Sequence, residues 1–284
     1  MSESAPDQIV FYDIAMAPPR TENVCSPNPW KTRLALNFKR LPYETVWVPL
    51  PSITKVRQGL KIPACRTFAD GSDFYTLPII EDPKTGKLVG DSFDIAVYLQ
   101  QQYPEGDDLF PDLELNYKLE KELPILVPLT DCRGSAQPAY AEFNMNVDAA
   151  FTAHIQLGTF GFPFDPATAE HTRAEFVRRA SVAGVTSWDQ FKLEGEAREQ
   201  TLLSFERTLG GLAKLFTATP GPFIGQKASY ADLIVDGWLQ CFAATLPKNE
   251  WERVKGWHNG TFGKLFDALA PYKAVDEGHD FVEN

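Results

Sequence analysis

Ser26-Pro27-Asn28-Pro29-Trp30-Lys31-Thr32-Arg33-Leu34-Ala35-Leu36 is the stretch that decides the fold. Ser26 stands where an N-cap belongs. Pro27 takes the first helical position, where its missing N–H costs nothing. Trp30, Leu34, Phe38 and Leu41 follow at spacings of three and four, so a helix is predicted over Pro27–Leu41. Before it, Ile9-Val10-Phe11-Tyr12 is an unbroken apolar run, as expected of a strand buried on both faces. After it, Thr45-Val46-Trp47-Val48 is β-branched and aromatic, the chemistry of a second strand. Strand, helix and strand together fit a right-handed parallel unit.

Working outward, Ser52–Leu60 reads as a weaker helix and Pro63–Tyr75 as a long loop. Leu77-Pro78-Ile79-Ile80 is a third strand. The turn residues Asp82-Pro83-Lys84-Thr85-Gly86 lead to the return arm Lys87-Leu88-Val89. Asp91-Ser92 then opens a helix with Phe93, Ala96, Val97 and Leu99 as its apolar positions. The texture changes near Pro104–Asp112, and from there nearly everything reads as helix. Candidates are Leu115–Leu123 (broken or kinked by Pro124 and Pro128), Thr168–Val185, Glu194–Phe216, Tyr230–Ala244 and Thr261–Leu269. Ser229-Tyr230-Ala231-Asp232 is a capping box before the run Leu233-Ile234-Val235. Residues 134–166 are given no state. The implied division is an α/β domain over 1–106, a linker over 107–112 and an all-helical domain over 113–284.

Composition narrows the function. Lys and Arg number 27 against 38 Asp and Glu, a net charge of −11. That balance argues against nucleic acid or an acidic membrane surface as partner, since both are attracted by excess positive charge. No apolar segment reaches the ~20 residues needed to span a bilayer, and Met1–Asp7 is polar and acidic, unlike a secretory leader. Cys25, Cys65, Cys132 and Cys241 are scattered, as are His154, His171, His258 and His279. No disulfide framework and no metal site are expected, and the reducing cytoplasm is the expected compartment.

Three places carry chemistry. A helix start presents free N–H groups and the positive end of a dipole, which suits an anion such as a thiolate. A free thiol has a pKa of about 8.5, and raising its acidity a hundredfold takes roughly 2.7 kcal/mol. One hydrogen bond to a charged group supplies about 1.5–3 kcal/mol and a helix end about 0.3–1 kcal/mol more. The hydroxyl of Ser26 at such a helix start therefore suffices without a metal or a general base, though the same Ser26 also reads as a simple cap. Leu77-Pro78 places a proline at a strand start, where the backbone can face an open edge or a ligand. Asp91-Ser92 sets an acid and a hydroxyl at another helix start, where both satisfy backbone N–H groups.

Taken together, S-P-N-P-W-K-T-R-L-A-L, then L-P-I-I, then D-S-F-D-I-A-V-Y-L-Q-Q-Q-Y-P resemble the N-terminal domain of glutathione transferases. The S-P-x-x-W-[RK]-T form, with the insertion Lys61–Thr76, is similar to the serine-type fungal enzymes often called the fungal A class and to bacterial lignin β-etherases. The resemblance is good over Ile9–Pro111 and weaker beyond. It implies a thioredoxin-like domain of order βαβ, α, ββα that binds glutathione as co-substrate, followed by a helical domain that takes a small aromatic or apolar second substrate. It further implies Ser26 as the residue that stabilises the thiolate, with no metal. Leu77 before a cis-Pro78 becomes the backbone partner of the cysteinyl part, Asp91 with Ser92 the γ-glutamyl site, and Lys31 and Trp30 lining residues. Where this chain has Asp91 many members have Glu, a shorter reach that bears on the glutamyl contact.

The expected reaction is thiolate attack on an electrophilic carbon or an aryl ether, with etherase-type or peroxidase side activity, in a homodimer. Cys25 is the rival nucleophile of a thiol-transfer or deglutathionylation enzyme. A mainly non-catalytic binder of aromatic ligands is the third reading. Tyr140, Phe143, Phe151, Phe160, Phe162 and Phe164 crowd one stretch, and Gly158–Phe164 is expected at the rim of the second-substrate pocket.

Overall fold

The computed structural model describes residues 8–68, 71–119, 125 and 127–282. The predicted parallel unit is present: β1 (Ile9–Ala15) and β2 (Tyr43–Pro49) run parallel, joined through α1 (Pro27–Phe38). Then come α2 (Ile53–Gly59), a two-residue pair β3 (Arg66–Thr67) and β4 (Asp73–Phe74), β5 (Ile79–Asp82), β6 (Lys87–Gly90) and α3 (Ser92–Gln102). β5 is antiparallel to β1, with Tyr12 opposite Ile79, and β6 completes the expected hairpin. The stretch read as one long loop thus holds the small antiparallel pair β3–β4.

The second half contains α4 (Pro138–Thr152), α5 (Gln156–Thr159), α6 (Ala169–Ala180), α7 (Gly195–Leu215), α8 (Tyr230–Thr245) and α9 (Lys248–Ala268). α9 is interrupted by non-helical backbone at Trp257–Gly260, and the helix predicted from Thr261 is its second part. The chain then returns to the first domain. β7 (His279–Asp280) lies parallel to β2 and gives the sheet order β6-β5-β1-β2-β7. No helix among the described residues is long and apolar enough to cross a membrane.

One predicted helix is not formed. Residues 115–119 have no regular secondary structure, and 120–123 of that reading, with Pro124, lie outside the described residues. The burial pattern explains the error: Leu115 and Tyr117 are buried while Glu114, Asn116 and Lys118 are exposed, a period of two. The amide of Leu119 donates to the Asn146 side chain at 2.9 Å instead of to a helical carbonyl. Met1–Asp7 also lie outside the described residues.

Two features seat α1. Arg33 is fully buried among Phe11, Trp30, Tyr43 and Trp47, and donates to Asp13 at 2.8 Å and to Asp276 at 3.1 Å. α8, buried along nearly its whole length, crosses the start of α1 at Gly237. A Cβ there would come within 2.8 Å of Lys31 Cγ and 2.9 Å of the Pro27 carbonyl oxygen, so only glycine lets the two backbones approach. The capping box that starts α8 is formed as read: the Ser229 amide donates to Asp232 Oδ2 at 2.8 Å. From the next residue, the Tyr230 hydroxyl donates to the Ser92 carbonyl at 2.9 Å, tying the α8 start to the α3 start.

Candidate active site

Ser26 is the N-cap of α1 and Pro27 its first residue, as predicted. Its side chain nevertheless makes no capping hydrogen bond. The sequence narrows the choice: an N-cap oxygen accepts from the second or third helical N–H, and the third residue is Pro29, which has none, so only the Asn28 N–H could serve. The two prolines leave Asn28 as the one N–H donor among the first three helical positions. The helix start is therefore poorer in donors than expected. The Ser26 hydroxyl, half-buried, is in turn left free of the helix.

Ser26, Pro27 and Asn28 line a cavity of about 190 Å³. Much of the lining is apolar, with Ile14, Met16, Leu50, Phe162, Phe164 and Phe176 among it. Phe162 and Phe164, from the predicted rim, stack at 5.7 Å and 14°, and Phe164 meets Phe176 edge-on at 5.5 Å. Phe160 is 41% exposed and is not in the lining, and Tyr140, Phe143 and Phe151 are core. The loop that carries these rings is held close to α8 at Gly161, where a Cβ would overlap the Thr245 carbonyl at 1.8 Å. It is also held to the loop after β1: the Ala17 amide donates to Pro163 O at 2.8 Å, and Arg20 bridges Asp165 and Asp280.

Asp148 and Trp238 share the lining with Ser26. Lys31, expected as a lining residue, is fully buried with its ammonium 2.5 Å from Asp148 Oδ1 and 3.0 Å from Asn144 Oδ1. Trp238 donates to the same Asp148 oxygen at 2.7 Å. Trp30 lies in the core, its indole N–H donating to Val24 O at 3.0 Å. Neither Lys31 nor Trp30 is in the cavity lining.

The Leu77–Pro78 peptide is cis, and the Pro78 carbonyl accepts from the Asp91 amide at 3.2 Å. Asp91 and Ser92 are buried at the start of α3. Asp91 adopts φ 79°, ψ 134°, backbone that L residues seldom occupy and that costs about 1–3 kcal/mol. Its carboxylate accepts from the Phe93 amide at 3.2 Å and from the Thr130 hydroxyl at 2.9 Å, with an Arg66 nitrogen at 3.8 Å.

Cys25 is fully buried, packed with Ile14, Val48, Leu77 and Ile79. Burial pushes its thiol well above the ordinary value, with Cys241 and Asp13 adding to the rise. Among the described residues no group of three or more His, Cys, Asp or Glu could hold a metal ion. A larger cavity, about 830 Å³, lies between residues 112–118 and the end of α7, and none of the predicted site residues lines it.

Comparison with known proteins follows the same lines. The family description "Glutathione S-transferase, N-terminal domain" matches residues 25–102, and "Glutathione S-transferase, C-terminal domain" matches residues 147–272. The chain belongs to the glutathione S-transferase family. A curated relative of this glutathione transferase, the glutathione S-transferase-like protein ustS of Aspergillus flavus, is 28% identical over 94% of this chain and 92% of its own. Among solved structures, the glutathione S-transferase CsGST63524 of Ceriporiopsis subvermispora, in complex with glutathione, superposes with a TM-score of 0.77 at 29% identity, covering 95% of this chain and 99% of its own. Glutathione transferase GSTFuA3 of Phanerochaete chrysosporium gives 0.74 at 27% identity over 95% and 99%.

Several residues of the cavity in this transferase escaped the sequence reading: Arg66, Phe74, Asp148, Arg179 and Trp238. Asp148 left a trace. Asn144 and Asp148 sit four apart in the apolar run Tyr140–Phe151, so both polar groups face inward from α4.

Proposed function

We propose that this glutathione transferase activates bound glutathione with Ser26 and directs its thiolate at an aromatic or apolar electrophile, aryl ethers included. The observation that carries the reading is the Ser26 hydroxyl, which makes no capping hydrogen bond and shares its cavity with the Phe162–Phe164 stack. A hydroxyl donating to sulfur contributes about 1.5–3 kcal/mol, and the upper part of that range, above about 2 kcal/mol, brings most of the thiol into its anionic form near neutral pH. The backbone of Leu77 pairs with the cysteinyl part of the tripeptide as an added strand would. Asp91 attracts the γ-glutamyl ammonium, with the Thr130 hydroxyl yielding or sharing its place on that carboxylate. Ser92 holds the γ-glutamyl carboxylate. Trp30 and Lys31 act behind the site, by seating α1.

Chemistry through Cys25 is disfavoured by the cost of a thiolate at a fully buried position. The family resemblance adds a homodimer, which sedimentation at micromolar concentration checks, and a cytoplasmic location.

The test compares Ser26→Ala with Cys25→Ser. Ser26→Ala is expected to lower kcat/KM for conjugation roughly tenfold to a hundredfold. The ultraviolet absorbance of the bound thiolate should then titrate near the ordinary thiol value of about 8.5. Cys25→Ser is expected to keep conjugation. Loss confined to Cys25→Ser, with thiol transfer as the activity lost, would replace this reading with the cysteine-type one. Binding of aromatics with no turnover of any electrophile would favour a carrier.

A further inference from the structure

Arg66 on β3 and Phe74 on β4 are directly paired across the small antiparallel ladder. The Arg66 guanidinium lies over the Phe74 ring, 5.7 Å from its centroid, and the Arg179 guanidinium of α6 lies over the same ring at 4.8 Å. All three residues line the cavity that holds Ser26. Two cations on one ring repel each other, so the nearby carboxylates must be counted. Glu175 accepts from Arg179 at 2.8 Å but is shared with Arg178, which binds it through two bonds of 2.7 Å. Asp91 is 3.8 Å from Arg66 and already accepts from Thr130.

The other charged groups facing the cluster do not change the balance. Buried Arg57 adds a further cation, its two terminal nitrogens bonded to the Thr76 and Pro63 carbonyls. Exposed Asp73 accepts from Tyr75, and Asp148 is matched by Lys31. Among the described residues, Arg57, Arg66 and Arg179 are thus set against Asp91 and a Glu175 that is shared with Arg178. In addition, the Arg66 side chain is 9% exposed and its Nε has no hydrogen-bond partner among the described residues. A buried N–H of a charged group without a partner is costly, and a planar oxyanion matches the guanidinium fork.

We propose that Arg66 and Arg179, gathered on Phe74, form a carboxylate-binding subsite of the Ser26 cavity. The inference rests on the proposed function, and two sources of the anion are open to it: a carboxylate of glutathione, or one carried by the aromatic second substrate, whose ring would lie against Phe74. With an aryl chloride as probe, the sulfur–carbon bond forms as chloride departs with the carbon–chlorine pair. The thiol proton has by then passed to solvent.

Conjugation of 4-chloro-3,5-dinitrobenzoate and of its methyl ester is measured for the parent, Arg66→Gln, Arg179→Gln and the corresponding Lys variants. A tenfold or larger rise in KM for glutathione, equal with acid and ester, supports the subsite with glutathione as source. A tenfold or larger fall in the acid-over-ester ratio of kcat/KM supports it with the second substrate as source. In either case the Lys variants should recover part of the loss. Both quantities unchanged within twofold in Arg66→Gln and Arg179→Gln overturn the proposal, whichever variant is the better folded by thermal melting. Calorimetric binding of glutathione and tryptophan quenching by 3,5-dinitrobenzoate read the same subsite without turnover. An enzyme inactive toward both probes, yet losing carboxylate binding in the variants, would refute the catalytic reading and leave the subsite standing.

Discussion

Lys31 of α1 and Asp148 of α4 form an ion pair closed to solvent, with side chains 0% and 5% exposed, 117 positions apart in the chain. The pair joins the two halves of the molecule, and its Asp148 shares the cavity lining with Ser26. Asn144 and Trp238 complete its hydrogen bonds, which a buried pair requires if its attraction is to offset the loss of water.

Removing one member leaves a buried charge alone. Lys31→Met is expected to destabilise the protein by about 3–5 kcal/mol, and Lys31→Met with Asp148→Leu to recover much of that loss. Urea unfolding of the single and double variants checks this. A single variant within 1 kcal/mol of the parent, about the value of an exposed pair, would show that the pair is not doing what its burial implies.

Pro29 denies Ser26 one of its two possible capping partners. Pro29→Ala supplies the missing N–H, and a cap bond is worth about 1 kcal/mol. The variant should draw the hydroxyl toward the helix and away from the cavity, lowering kcat about fivefold while the melting temperature holds or rises. Equal kcat in parent and variant would mean that one hydroxyl serves helix and sulfur together.

Asp91 combines unfavourable backbone with a proposed binding role. Asp91→Gly removes the side chain and relaxes a conformation costing about 1–3 kcal/mol. Thermal stability should be retained or increased, while KM for glutathione rises tenfold or more. A variant that loses stability and keeps its KM would assign Asp91 to the fold alone.

Two buried acids set a pH dependence. Burial pushes Asp232 and Asp236 up to about 6, the latter against the pull of Lys273. Both values lie above the ordinary carboxyl of about 3.9, so the unfolded chain releases these protons first as pH rises. Below about pH 4 neither group costs stability, and the penalty grows from there and is complete above about pH 6. Relative to the parent, Asp236→Asn should therefore gain on the order of 2 kcal/mol between pH 4 and 6.5. Denaturant unfolding at both pH values tests the sign, and a difference independent of pH would contradict it.

The first half of the fold was legible because its periods are clean. The run Ile9–Tyr12, the three-and-four spacing after Ser26 and the branched run Thr45–Val48 each admit one reading, and β1, α1 and β2 follow them. The segment 115–119 failed because Leu-Asn-Tyr-Lys-Leu satisfies a helical spacing as well as an alternating one, and its tertiary partners Asn146 and Thr208 chose the second. α4 was unreadable as a helix for a related reason: its inward Asn144 and Asp148 make sense only once Lys31 is known to face them. The same limit hid half the site. Ser26 announces itself through Pro27, whereas Arg66 and Arg179 have no local signal and meet only because α6 settles on the β3–β4 pair.

β7 has a bearing on how the protein is made. Trp47 on β2 donates to the Glu277 carbonyl across 230 positions of sequence, and Asp276 supplies the third member of the Arg33 cluster. The outer edge of β2 thus stays unpaired on the ribosome until almost the whole helical half has emerged. A nascent or shortened chain ending before Asp276 would carry an open strand edge and an undersupplied buried arginine, features that invite association with other chains. The first sheet to begin forming is the last part of the molecule to be finished.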